Sequence, residues 1–444
     1  MKRLFIFYLF LITLFNSKGQ NIGGEIIFKN NSSPYTYDFT MTKYTSYPSS
    51  NNLLLVSIGM GDGNTLTVNR TDSLILHNNI LLSNYKYIHT YPTVANDLFI
   101  IYYEDSTNNT LGINYPNSSQ FHFYLQSGLN INTLFGINNS VYFADKPIML
   151  GDINKPLKQN LTAIDDDSDS LSFELIDLDG ADSNKYWIPN TMILNPINGE
   201  LSWSNPQQIG KYTFGVLVTE WRHGSQIGFV ERRFQIKIDT LNSANHFIIN
   251  NWNTNFNGDY EYHITPNTNI QLNLVYSDSL ADSLKLHAYG DVFNINNHAT
   301  FNSNVIQYND YGSFDWTPDT SSIRNNPYIV TFRGSSYINM TLIEQDITVM
   351  IYVDRPSSIN EINNKDSSLL IYPNPVNSYN IYVSFPFIQN GTYHILNMLG
   401  EVITSGIICN TDKIVVNAEL YESGCYFVEV QHNNKSQIGK FIKY

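Results

Sequence analysis

Residues 199–220 read GELSWSNPQQIGKYTFGVLVTE, and this stretch decides the fold class. Leu201 and Trp203 alternate with polar residues, an Asn-Pro turn follows, and Tyr212, Phe214, Val216 and Val218 alternate again. Period two, with aromatic and β-branched residues on one side, is the pattern of strands that bury a single face. Trp203 is expected between two sheets, where a large aromatic buries the most apolar area. Just upstream, residues 161–176 (LTAIDDDSDSLSFELI) place Leu171, Phe173 and Leu175 on a further strand behind a run of acids.

Outward from this stretch the pattern returns. YGSFDWTPDTS (311–321) echoes NGELSWSNPQQ (198–208), NPYIVTFRG (326–334) echoes GKYTFGVLV (210–218), and NLVYSDSLADSLKLHAYG (273–290) echoes the acidic segment. Two copies of G-x-[LF]-x-W, Gly199 to Trp203 and Gly312 to Trp316, imply an internal duplication, with modules at 151–240 and 241–354. Alternation also marks Phe28 to Met41, Leu98 to Tyr103, Phe121 to Leu125, Phe234 to Ile238 and Ile347 to Val353. Asn198-Gly199, Asn257-Gly258 and Tyr311-Gly312 read as turns between them. Helical periodicity is nearly absent, and 444 residues exceed one core. The expected fold is all-β, in tandem β-sandwich modules; family resemblance implies the immunoglobulin or cadherin type for these modules and a C-terminal β-sandwich.

Three resemblances add to this reading. Residues 151–239 resemble the cadherin-like or immunoglobulin-like repeat, whose acids precede a strand and whose G-x-L-x-W and G-x-Y-x-F-x-V elements follow. Residues 20–150 resemble the N-terminal region of gliding-motility-associated surface proteins of flavobacteria. The likeness rests on Gly23-Gly24, Tyr115-Pro116-Asn117-Ser118 and Asn138-Asn139-Ser140. Val141 stands where proline is usual there and that family's cysteines are missing; the resemblance brings no catalytic residue.

The third resemblance covers 369–444. It rests on Tyr372-Pro373-Asn374-Pro375-Val376-Asn377, on Gly391, Tyr393, Asn397 and Gly400 in GTYHILNMLG, on Gly424 and Tyr426 in GCYFV, and on Lys440 to Lys443. This segment is similar to the C-terminal sorting domain of the type IX secretion system of the Bacteroidetes. The resemblance implies the secretion machinery as partner, passage through the outer membrane, and removal of the domain with attachment to surface lipopolysaccharide or release. Residues 1–19 agree with export. Lys2 and Arg3 precede an apolar run, Leu4 to Phe15, too short to span a bilayer, and Gly19/Gln20 is the expected cleavage point of a signal peptide. Residues 355–368 are polar and read as a linker.

Charge narrows the partners. The chain carries −14, and residues 20–368 carry 18 basic and 34 acidic residues, a net of −16. Such a surface repels nucleic acid. No later apolar run is long enough for a transmembrane segment. The two cysteines, Cys409 and Cys425, both fall in 369–444, either as a disulfide or as small apolar core residues.

The sharpest polar cluster is Asp165, Asp166, Asp167 and Asp169, with Asp177, Asp179 and Asp182 following. Closely spaced carboxylates on a loop suit a hard cation, and the cadherin-like resemblance implies calcium at Asp165, Asp167 and Asp169. Ser168 replaces the usual glycine, and a solvated acidic turn is the competing reading. Glu220 falls at the end of a strand and reads as structural. Gly59 to Gly63 reads as a hairpin, since no helix pattern follows to cradle a phosphate. There is no His-Glu-x-x-His, no Gly-x-Ser-x-Gly and no cysteine outside 369–444, so no catalytic residue is assigned. Tyr85, Tyr87, Tyr91, Tyr102 and Tyr103 are candidates for contacting a sugar or protein, against the alternative of simple core burial. Asp-Ser-Leu and Asp-Thr-Leu triplets, as at Asp72 and Asp239, are similar to O-glycosylation acceptors of secreted Bacteroidetes proteins. The expectation is a secreted cell-surface protein that adheres without catalysing, its modules acting as spacers. A carbohydrate-active hydrolase and a carbohydrate-binding protein are the alternatives, and the ligand is a polysaccharide or a protein.

Overall fold

The computed structural model describes residues 20–33, 35–48, 53–76, 79–92, 98–106, 112–116, 118, 121–178, 186–241, 243–249, 252–255, 258–356, 369–376, 380–432 and 435–443. The signal segment, most of the linker, Asn117, Asp179, Asp182, Asn257 and Asn377 lie outside them. The chain divides into two compact units, Met1–Pro356 and Ser357–Tyr444.

In the first unit one strand does most of the joining. Ser225–Asp239 pairs with Gly210–Arg222, Phe123–Leu129 and Asn21–Asn30 antiparallel, and with Ile148–Asp152 parallel. Around it a 12-stranded sheet forms among the described residues. Strands on either side of residue 150 therefore share one hydrogen-bonded sheet. The N-terminal Asn21–Asn30 can lie against Ser225–Asp239 because Gly23 has no side chain: a Cβ there would sit 2.2 Å from the Arg233 carbonyl oxygen. Ile26, Phe28, Phe39, Met41, Ile58 and Phe123 are buried in the core of this first region. Phe28 to Met41, read as one alternating run, is two strands, Asn21–Asn30 and Thr36–Ser46, because Ser32 and Tyr35 take left-handed conformations and turn the chain.

The two tryptophan-containing segments match strand for strand. Ile148–Asp152 lies parallel to Ser225–Asp239, as Tyr260–Ile264 lies parallel to Thr341–Val353. Ser170–Ile176 pairs with Gly210–Arg222, as Ser283–Tyr289 pairs with Tyr328–Ile338. Each long hairpin closes on two left-handed residues, His223-Gly224 in one and Asn339-Met340 in the other. The facing sheets correspond as well: Leu157–Asn160, Glu200–Trp203 and Met192–Leu194 against Ile270–Ser277, Asn309–Trp316 and Thr300–Ile306. Trp203 is 3% exposed and meets Tyr212 edge-on at 4.9 Å; Trp316 is 1% exposed and meets Tyr328 at 4.9 Å. Tyr311-Gly312, read as a turn, lies inside Asn309–Trp316 instead; the bend falls at Gln307, which has the positive φ.

The second unit is a five-stranded sheet among the described residues, Leu370–Tyr372, Asn380–Leu396, Gly424–His432 and Lys435–Lys443, with Val402–Asn417 on Asn380–Leu396. The register along Asn380–Leu396 slips between Ser384 and Ile388. Residues on both sides of the slip, Ile381, Val383 and Ile395, share a core with Val428 and Phe441. Cys409 is exposed and Cys425 half-buried, and they are not bonded, so neither sequence reading of the pair holds. Their strands place them on opposite neighbours of Asn380–Leu396.

Candidate functional site

The acidic loop that follows the strand pair Ala163–Ile164 is organised by an internal cation. Arg222, at the end of Gly210–Arg222, donates from Nε and Nη2 to both carboxylate oxygens of Asp169 at 2.7 and 2.6 Å. Asp167 lies 3.5 Å from the same Nη2 and accepts from the backbone and side-chain amides of Asn139 at 2.6 and 2.8 Å. Asp165 accepts from the Asp169 N–H at 2.8 Å, and its second oxygen is buried with no hydrogen-bond partner among the described residues. Burial, with Asp169 and Asp167 nearby, pushes its carboxyl up to about 7. A cavity of about 80 Å³ lies between this loop and the pair Asp291–Arg324, which are 2.6 Å apart. Asp165, Asp167 and Asp169 thus come together, but round a guanidinium. Among the described residues no set of three His, Cys, Asp or Glu is arranged to hold a metal.

Elements noted for their resemblance turn out to be fasteners. Asn138 donates to Glu220 at 3.1 Å, and the fully buried Glu220 also accepts the Val141 N–H at 2.6 Å; burial and the charge of Asp165 hold its carboxyl well above the usual range. Ser140 bonds the Phe28 backbone and Asn139 the Asn30 N–H, which ties the N-terminal strand to the acidic loop. Asn114 is buried and bridges Trp187 and Thr213. Among the tyrosines, Tyr85, Tyr91 and Tyr103 are core and Tyr87 stacks on Phe39; Tyr102, stacked on Tyr124, is the exposed one. Gly59 to Gly63 is the expected hairpin, between Leu55–Gly59 and Thr65–Asn69.

A second ionic cluster escaped sequence reasoning. Arg333 is 1% exposed and grips both oxygens of Asp346 at 2.8 and 2.6 Å. Its remaining nitrogen meets the carboxylate of Asp145, whose carbonyl accepts from Arg232. Asp346 in turn accepts the Asn160 N–H at 2.7 Å, so the cluster ties Leu157–Asn160 to Thr341–Val353. Burial lifts Glu344, beside it, to about 7 against the pull of Arg333. No local signal announced it: Arg333 lies on the face of its strand opposite Val330 and Phe332, and it is buried there by Asp145 and Asn160, which come from far away in the chain.

One open groove is of a different character. It runs along the side of the sandwich built from residues 246–353, with a volume of about 650 Å³. On Ile270–Ser277 and Asn309–Trp316, buried and outward residues alternate, so Gln271, Asn273, Val275, Tyr311 and Ser313 share the outer face. Trp252 closes the groove, its Nε1 donating to the Asn273 carbonyl at 3.2 Å and its ring fixed edge-on by Tyr260 at 5.2 Å. Tyr262 accepts the Asn253 N–H at 3.2 Å on the same side. Among the described residues no Asp, Glu, Lys, Arg or His lines it.

The sorting motifs interlock in the second unit. Asn374 donates to the Lys440 carbonyl and accepts the Ile442 N–H, both at 3.0 Å, while Val376 donates to the Ile442 carbonyl at 2.7 Å. The first motif is thus bonded to the last. Tyr372 stacks on Tyr382 and remains 39% exposed, and both Pro373 and Pro375 follow cis bonds. Gly391 lets the Gln431 carbonyl approach, and Tyr393 lies over Gly406. Asn397 and Gly400, the latter at φ 83°, form the turn before Val402–Asn417, with the Asn397 side chain accepting the Leu399 and Glu401 N–H groups. Gly424 pairs with Lys443, and Tyr426 stacks on the buried Phe441 while Lys440 faces solvent.

Residues 370–444 match the family of secretion system C-terminal sorting domains. No curated protein matches the chain. Among solved structures it is similar to the four N-terminal Ig domains of Dscam1 isoform 6.44, at 11% identity over 95% of this chain and 99% of that one, with TM-score 0.20. It is also similar to the sialic acid binding region of the Streptococcus sanguinis SK1 adhesin, at 10% identity over 63% and 96%, with TM-score 0.17. Superpositions this loose add nothing to the all-β fold, which the strand pairing carries. No helix among the described residues is long and apolar enough to cross a membrane.

Proposed function

We propose that this chain, a protein exported by the type IX secretion system under a C-terminal sorting domain, is a non-enzymatic adhesion protein of the cell surface. The observation that carries the reading is where its ionisable groups go. Arg333 with Asp346 and Lys43 with Asp105 at 2.7 Å are buried fasteners between strands, and the half-buried Arg222 holds Asp169 of the acidic loop. The open groove, by contrast, has no acid or base to move a proton. Glycoside hydrolysis needs two carboxyl groups flanking a bound sugar, and no carboxylate lines the groove. A rigid β array with aromatic and amide groups outward is suited to holding a partner. Removal of the sorting domain and attachment to lipopolysaccharide complete the proposal. The test uses beads coated with the full-length chain, applied to surfaces of plant, algal and bacterial polysaccharide. Retained beads with no released sugar are expected; released sugar would replace adhesion by hydrolysis.

A further inference from the structure

We propose that the groove bounded by Trp252 and Tyr311 binds a neutral polysaccharide, an assignment that rests on the adhesion reading and names its ligand. Tyr311 stands 46% exposed on a central strand, with Val275 opposite it and Ile248 beyond, so an aromatic face opens on an apolar floor. A pyranose ring offers the complementary surface. Its C–H face is apolar and lies on an aromatic ring, while its hydroxyls project around the rim. At that rim stand the side-chain amides of Gln271, Asn273 and Asn253 and the hydroxyl of Ser313. None of these side chains has a hydrogen-bond partner among the described residues, so each keeps its donors and acceptors for a ligand.

Charge selects the class. The chain carries −14, yet the groove lining is uncharged. An anionic glycan would gain no cation there and would meet a repulsive field. A cationic ligand would find no carboxylate in the lining itself, and Asp315, opposite Gln271 on the same face, already accepts from Asn269. A neutral, hydroxyl-rich chain loses nothing of either kind. About 650 Å³ lies within the roughly 300–1,000 Å³ of small-ligand sites and accommodates a few sugar rings. The walls are fixed beforehand: Trp252 is held by its bond to Asn273 and by Tyr260 and Phe332, which limits the ordering that binding would require.

The test titrates the full-length chain with three neutral polysaccharides, laminarin, xylan and mannan, and with anionic alginate. At least one neutral polymer is expected to bind and alginate not. Tyr311→Ala should weaken that binding by about tenfold or more with an unchanged melting curve, and the double variant Gln271→Ala, Asn273→Ala by several-fold. Tyr102→Ala, an exposed aromatic elsewhere, should bind as the parent does. Equal binding by Tyr311→Ala, binding of alginate alone, or no binding of any neutral polymer would overturn the assignment. Beads coated with Tyr311→Ala separate the two readings. If they adhere as well as the parent, the groove falls and adhesion stands; if parent beads do not adhere at all, adhesion itself falls.

Discussion

Asp169 and Arg222 show how a single pairing changes the meaning of a motif. Three closely spaced aspartates suggest a cation, and the cation present is a guanidinium from a strand 53 residues away in sequence. Thermal unfolding with millimolar calcium and with EDTA is therefore expected to coincide. A calcium-dependent rise would mean that Arg222 yields its carboxylates. Glu344 shares the pH dependence with other carboxyl groups that burial raises, Asp165 among them. Burial raises its folded-state value from the ordinary 4.5 to about 7, so the folded chain binds this proton more tightly than the unfolded one. Stability then falls as pH rises from about 4.5 to about 7, and levels off above. Glu344→Gln should melt higher than the parent at pH 8 and nearly equally at pH 4, flattening the slope. A lower melt at pH 8 would show that Glu344 is needed as an anion beside Arg333.

At the level of elements, Asn374 links two segments that the chain keeps far apart. Its side chain bonds Lys440 and Ile442 on the last strand as a neighbouring backbone would. Asn374→Ala removes both bonds, at about 1–3 kcal/mol, and should speed amide hydrogen exchange at Ile442. Lys440→Ala, on the solvent side of the same strand, should leave that exchange unchanged. Unaltered exchange in Asn374→Ala would mean the terminal strand is held by its pairing with Gly424–His432 alone.

For the molecule as a whole, the joining strand Ser225–Asp239 and the Arg333 cluster argue against beads on a string. The first couples the N-terminal region to the first tryptophan module, and the second couples that module to the next. The unit Met1–Pro356 should accordingly unfold in one calorimetric transition. Trp203→Ala and Trp316→Ala, each costing about 3–5 kcal/mol, should lower that same transition. Separate peaks, one moved by each variant, would show that the modules unfold independently.

Much of this was legible in one dimension. Alternation around Trp203 and Trp316 announced sandwiches because burial of one strand face is a local, period-two property, and the sorting motifs could be read because turns and short strands are written contiguously. The Gly-rich hairpin at Gly59 to Gly63 was readable for the same reason. The sites were not. Alternation puts Tyr103 on a strand face without saying which face is covered, and only the packing put Tyr85, Tyr91 and Tyr103 inside; Tyr311, which reads as a turn residue, is placed on a strand with its ring outward by the tertiary structure alone. Likewise the sequence by itself determined that aspartates crowd residues 165–169, whereas the tertiary structure decided that Arg222 pairs with Asp169 and Asp167. The physical reason is common to both cases: a strand's pattern is set by its neighbours in sequence, while the partner of a charge or a ring is set by strands brought together from across the chain.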